Sequence, residues 1–121
     1  MKSHIDLNLW KCSTTLAIDI YQITKQFPKE EIFGLTSQIR KAAVSVPSNI
    51  SEGAARGSKN DFIRFLNIAI GSLSELETQM YISKEMCLCT EECWRKIKGD
   101  INKIRAQISG LKKQLINSNN P

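Results

Sequence analysis

WRKIKGDINKIRAQISGLKKQL, residues 94–115, is the stretch that decides the fold. Trp94, Ile97, Ile101, Ile104, Ile108, Leu111 and Leu115 recur at alternating spacings of three and four, the period of one narrow apolar stripe on an α-helix. Thr90, followed by Glu91 and Glu92, supplies an N-cap and negative charge at the positive helix end, and Lys112 and Lys113 stand near the negative end. The pattern predicts a helix over 91–116 and a polar tail over 117–121.

The same period extends backwards through the chain. Ser58, with Asp61 three residues on, caps a segment in which Phe62, Leu66, Ala69, Leu73, Leu76, Met80 and Cys87 form a stripe, predicting a helix over 59–88. That segment is also apolar off its stripe, at Ile63, Phe65, Ile68 and Ile70. A helix apolar on more than one face is either central in its domain or half of an intersubunit contact. A small bundle has little room for a central helix, so these four residues are expected to form an oligomer interface. Leu9, Cys12, Leu16, Ile20, Ile23 and Phe27 predict a first helix over 6–27 that Pro28 closes. Between Gly34 and Gly57, small residues (Ala42, Ala43, Gly53, Ala54) predict a closely packed helix over 35–56, kinked or broken at Pro47. Four segments of matched length joined by short loops, with no competing strand signal, give an all-α, antiparallel up-down-up-down four-helix bundle, residues 1–121 forming a single domain.

The chain is 121 residues long with a formal net charge of +5, room for one core and not two. The charge is segregated. Residues 1–92 hold 10 basic and 11 acidic side chains, whereas residues 93–121 hold seven basic (Arg95, Lys96, Lys98, Lys103, Arg105, Lys112, Lys113) and one acidic, Asp100. Such asymmetry suggests a negatively charged partner, nucleic acid above all, with a solvated basic helix as the plainer alternative. No run approaches the roughly 20 apolar residues a membrane-spanning helix needs, and the opening residues carry no apolar export signal, so a cytoplasmic protein with no membrane partner is expected.

Four cysteines in a cytosolic chain are expected to stay reduced. Cys87, Cys89 and Cys93, with Cys12, suggest zinc only weakly: the spacing lacks a C-x2-C pair and the sole histidine is His4. They are read as packing groups, with no metal and no cofactor. Phosphate-loop, dinucleotide and serine-nucleophile motifs are absent, and Glu75 and Glu77 diverge on their helix, so no catalytic residues are assigned.

The densest polar cluster contains Arg40, Lys41, Ser45, Ser48, Asn49, Ser51, Glu52, Arg56, Ser58 and Lys59. Ser45, Ser48 and Asn49 can satisfy backbone groups freed by Pro47, and Glu52 can pair with Arg56. The accumulation of Arg40, Lys41, Arg56 and Lys59 additionally makes a basic rim able to meet phosphates. In the last helix, with Trp94 at heptad position a, Lys98, Arg105 and Lys112 fall at successive e positions and Lys96 and Lys103 at c. A row spaced roughly 10 Å apart can follow a phosphate backbone without reading bases. Equally, basic e positions can lie over the seam and cover it with their stems.

RKAAVSVPSNISEGAARGSK, Arg40 to Lys59, followed by FLNIAIGSLSELETQM, Phe65 to Met80, resembles the four-helix-bundle family encoded in intervening sequences of bacterial 23S rRNA genes. Leu9-Trp10 and the segment from Phe27 to Arg40 fit the same pattern, and the resemblance covers about Leu7 to Met86. It implies barrel-shaped homopentamers. It also implies kinship with the accessory variability protein of diversity-generating retroelements, a basic pentamer that associates with a reverse transcriptase and nucleic acid. The shared polar motif maps to Arg40, Ser48, Asn49, Glu52, Gly53, Arg56 and Ser58. Where relatives usually read Leu-Gly-Tyr after the third helix, this chain has Met86-Cys87-Leu88-Cys89. The expected function is therefore a non-catalytic, homo-oligomeric protein contacting RNA or DNA backbone. The alternative is a scaffold docking a reverse transcriptase or ribosomal component.

Overall fold

The computed structural model describes His4 and residues 7–118; the expected helix start at residue 6 and the tail residues 119–121 lie outside the described residues. Four helices follow one another: α1 (Asn8–Thr24), α2 (Leu35–Ala55), α3 (Lys59–Glu85) and α4 (Glu91–Ile116), with a 3-10 turn, Lys29–Glu31, between α1 and α2. No strand occurs among the described residues. The chain is an all-α four-helix bundle.

Contacts between neighbours give the helix directions. Along α3 and α4, Tyr81 meets Trp94 edge-on, Glu77 meets Arg105 and Asn67 meets Lys112, so numbers fall on one helix as they rise on the other. Ser45 bonds Ser72 across α2 and α3, while Gly53 lies against Phe62 and Phe65. Asp19 meets Lys96 and Cys12 meets Gln107 across α1 and α4. The core forms where the four stripes converge, with Ile20, Ile39, Ile50, Leu73, Ile101 and Ile108 wholly shielded. Each such side chain contributes about 1.5–3 kcal/mol by leaving water.

Helix ends follow local chemistry. Ser58 and Thr90 cap α3 and α4, their hydroxyls accepting from the Asp61 and Cys93 N–H groups at 3.1 and 3.0 Å. α1 ends at Thr24 and not Phe27. Pro28 forces its predecessor out of helical backbone, and the chain tightens first, with Gln26 and Phe27 N–H groups donating to Ile23 and Thr24. Phe27 is still buried. α3 ends at Glu85, three residues before the expected end. There the Leu88 N–H donates to the Ser83 carbonyl and the Cys87 N–H to Lys84, a Schellman turn that puts Cys87 at φ 61°. Cys87 is consequently exposed instead of extending the apolar stripe.

Pro47 does not divide its segment: α2 runs through it unbroken, with Pro47 buried. The Asn49 amide donates to the Ser45 carbonyl and hydroxyl at 2.8 and 2.9 Å. It does not reach the Ala43 carbonyl that proline deprives of its usual donor.

The four residues expected to form one oligomer face are split by the helix geometry. At about 100° per residue, Ile63 and Ile70 lie on one side of the α3 core stripe and Phe65 and Ile68 on the other. Phe65 is buried inside the chain against Gly53, Ile63 and Ile70 are half-buried, and Ile68 is 41% exposed.

Two substitutions test this packing. A Cβ at Gly53 would stand 2.7 Å from the Phe65 Cβ, so Gly53→Ala should destabilise by about 1–3 kcal/mol, against the gain of up to about 1 kcal/mol usual for this change in a helix. Cys87→Gly should raise stability by about 1 kcal/mol by relieving the left-handed backbone. Urea denaturation measures both.

Candidate nucleic-acid interface

Built from α4 outward, the interface depends on which cations keep their charge unshared. The α4 core stripe turns Lys98, Arg105 and Lys112 onto the flank facing α3. Arg105 is spent there. Its Nη1 lies 2.6 Å from Glu77 Oε1 and 3.0 Å from Asn102 Oδ1, and its Nη2 donates to Ser74 at 3.3 Å. Lys112 donates to the neutral Asn67 Oδ1 at 2.7 Å and so keeps its net charge. Lys98 sits with its ammonium 5.8 Å from the centre of the Trp94 ring, a cation–π arrangement that also leaves the charge uncancelled.

The c positions separate in the same way. Lys96 bridges Asp100 at 2.9 Å and Asp19 at 3.5 Å, and the hydrogen bond to Asp100 holds its ammonium pKa above the ordinary lysine value. Lys103 faces the α1–α4 cleft of about 250 Å³, which Lys11, Asp19 and Asp100 also line, and has no ion-pair partner among the described residues. Arg95 pairs with Glu91 at 3.2 Å. The cations of α4 without a carboxylate partner among the described residues are therefore Lys98, Lys103, Lys112 and Lys113. Sequence spacing alone did not single out Lys113, because its heptad position belongs to neither row; its exposed setting in the final turn is the signal.

The rim around α2 is largely internal bonding. Arg40 Nε donates to Thr24 Oγ1 at 2.8 Å, and its guanidinium lies 4.7 Å from the Tyr21 ring centre, fastening α2 to α1. Arg56 pairs with Glu52 at 3.0 Å and, with Arg64, stacks on Phe65. Lys59 donates to the Ser118 carbonyl at 2.9 Å, joining the start of α3 to the end of the described chain. Lys41 stays exposed beside the α2–α3 cleft, which Gln38, Glu75 and Gln79 also line. In the polar motif, Gly53 allows the α2–α3 approach, Ser58 caps α3, Asn49 ties back to Ser45, and the Ser48 carbonyl accepts from Ser51.

The cysteines divide by position. Cys12 lies beside Gln107 on the α1–α4 seam. Cys89 and Cys93 neighbour each other where α3 passes to α4. Burial and the adjacent Cys93 push the Cys89 thiol up to about 11, and burial raises Cys93 as well. No group of three or more His, Cys, Asp or Glu side chains able to hold a metal ion occurs among the described residues. No helix there is long and apolar enough to cross a membrane.

This is the architecture of a small helical bundle with a cationic final helix. The family model described as the 23S rRNA-intervening sequence protein matches residues 5–110, and the chain belongs to that family. A solved structure from Bacteroides thetaiotaomicron VPI-5482, a protein with unknown function from the S23 ribosomal protein family, is similar. It has 25% sequence identity and a TM-score of 0.77, over 87% of this chain and 98% of that one. None of the curated proteins matches.

The thiol environments predict an order of alkylation. With Cys89 at about 11, roughly one in a thousand of its thiols ionises at pH 8. Exposed Cys87 should be labelled well before Cys89 and Cys93 by iodoacetamide, followed by peptide mass spectrometry.

Proposed function

We propose that this chain is a non-catalytic, homo-oligomeric protein that holds RNA or DNA by its phosphate backbone through α4, with little sequence preference. The carrying observation is that Lys98, Lys103, Lys112 and Lys113 lie along one helix with no carboxylate partner among the described residues, while the other basic side chains of α4 are paired. Lysine is a point-charge donor to phosphate and needs no base edge, so such a surface favours affinity over specificity. The family description, which names a 23S rRNA intervening sequence, supports an RNA setting, and a cytoplasmic location belongs to the same reading.

Self-association would repeat α4 around an assembly and turn four weak contacts per chain into a multivalent surface. Ile68 and Ile82, two heptad steps apart on the outer side of α3 and each 41% exposed, are the contacts we assign to it. The pentamer that the resemblance implies is the stoichiometry to test. A reverse transcriptase or ribosomal component as the main partner is the second reading, favoured by the apolar side chains left outside, Phe33 at 96% exposure above all.

Replacing Lys98, Lys103, Lys112 and Lys113 by Gln should flatten the slope of log K against log salt for single-stranded RNA by roughly 3, at about 0.7 per lost contact. Arg105→Gln alone should leave that slope unchanged. Circular dichroism should show unaltered helicity in the quadruple variant, and an unchanged slope in it would sink the reading. Ile68→Glu with Ile82→Glu should lower the mass measured by light scattering to that of the monomer.

A further inference from the structure

We infer that the corner between α1 and α2 is a binding site for a phosphate-type oxyanion, separate from the α4 surface. The corner encloses about 230 Å³ beside the last turn of α1, the Lys29–Glu31 turn and the first turns of α2. Phe27 and Ile32 supply apolar wall, Lys25, Lys29 and Arg40 bring three positive charges, and no carboxylate among the described residues lines it.

The observation that points to a ligand is Thr36. It lines this cavity and is 3% exposed, yet its Oγ1 has no hydrogen-bond partner among the described residues. Every other buried hydroxyl among the described residues has one. Ser13 donates to the Trp10 carbonyl at 3.0 Å, Thr24 to Ile20 at 2.8 Å and Ser83 to Gln79 at 2.8 Å, while Ser72 shares a bond with Ser45 at 2.8 Å. Helical Ser and Thr ordinarily turn their hydroxyls back onto the preceding turn, as Ser13, Thr24 and Ser83 do. A buried hydroxyl left out of that arrangement is a rare cost in a native chain.

The surroundings decide the sign of the ligand. Arg40 is fixed by its Nε bond to Thr24 and its stacking on Tyr21, which leaves its Nη groups without a protein acceptor among the described residues. α2 begins at Leu35 behind Gly34, with no side-chain cap and no acidic residue in its first turn, so its own residues leave the positive end of its dipole without a capping acceptor. Ammonium, guanidinium and hydroxyl are all donors here. Their complement is a small, acceptor-only polyanion, for which a phosphate is the fitting chemistry. It can arrive free or as the phosphate of a nucleic-acid strand. The corner lies on the α1–α2 flank, away from the α3–α4 flank that carries Lys98 and Lys112, so it stands or falls independently of that surface.

The test titrates the full chain into inorganic phosphate at fixed ionic strength and follows the 31P line width, with wild type, Thr36→Val and Lys29→Gln. Thr36→Val keeps the shape and removes no internal hydrogen bond, so it should fold like wild type. Saturable broadening in wild type, with affinity about tenfold or more weaker in both variants, supports the site. The same broadening in wild type and Thr36→Val, or broadening that does not saturate, overturns it. A second arm adds a short single-stranded RNA bearing a 5′-phosphate or a 5′-hydroxyl. Displacement of inorganic phosphate by the phosphorylated strand alone identifies a strand end as the source, displacement by both identifies the backbone, and displacement by neither identifies free phosphate.

Discussion

The close approach of α2 and α3 at Gly53 is the constraint from which much else follows. With hydrogen in place of a side chain there, the Phe65 Cβ comes within 2.7 Å of where a Cβ would stand. Phe65 is thereby drawn inward and shielded from solvent. Its ring becomes the platform on which Arg56 and Arg64 rest. The same approach lets Ser45 and Ser72 bond across the interface at 2.8 Å. One missing methyl group thus fixes the spacing of two helices and removes an aromatic side chain from the exterior, where its ring meets Arg56 and Arg64.

Pairing across helices similarly decides what the basic surface is. Arg105 and Lys112 share a heptad position, yet one faces Glu77 and the other Asn67. The first is neutralised and the second is not. Exposed ion pairs contribute little to stability, about 0–1 kcal/mol, but they determine where uncompensated charge remains. For a surface that works through counterion release, that distribution matters more than the number of basic residues.

The helices themselves were legible in the sequence because the α3 and α4 stripes, from Phe62 to Met80 and from Trp94 to Ile108, keep their period without a miss, and because Ser58 and Thr90 announce two starts. Helix ends were less legible. The Phe27-Pro28 step shortens α1 through the restriction proline places on its predecessor, while Cys87 takes a left-handed backbone usually given to glycine. Apolar character off the α3 stripe was visible, but a one-dimensional pattern does not say which flank meets a neighbour, so Phe65 and Ile68 read alike though one is internal. The basic row was visible too, whereas Glu77 as its counter-charge was not, since it sits 28 positions from Arg105 in sequence. The corner around Thr36 left no sequence signal, because an unpartnered hydroxyl is a property of packing alone.

The central claim, that α4 acts through the charge its neighbours leave uncompensated, is tested most directly by removing the counter-charge and leaving every cation in place. Glu77→Gln releases Arg105, and the account predicts that single-stranded RNA binding tightens and that its salt slope steepens by about 0.7, one phosphate contact per chain. Unchanged or weaker binding by a variant of wild-type helicity and assembly state would contradict it.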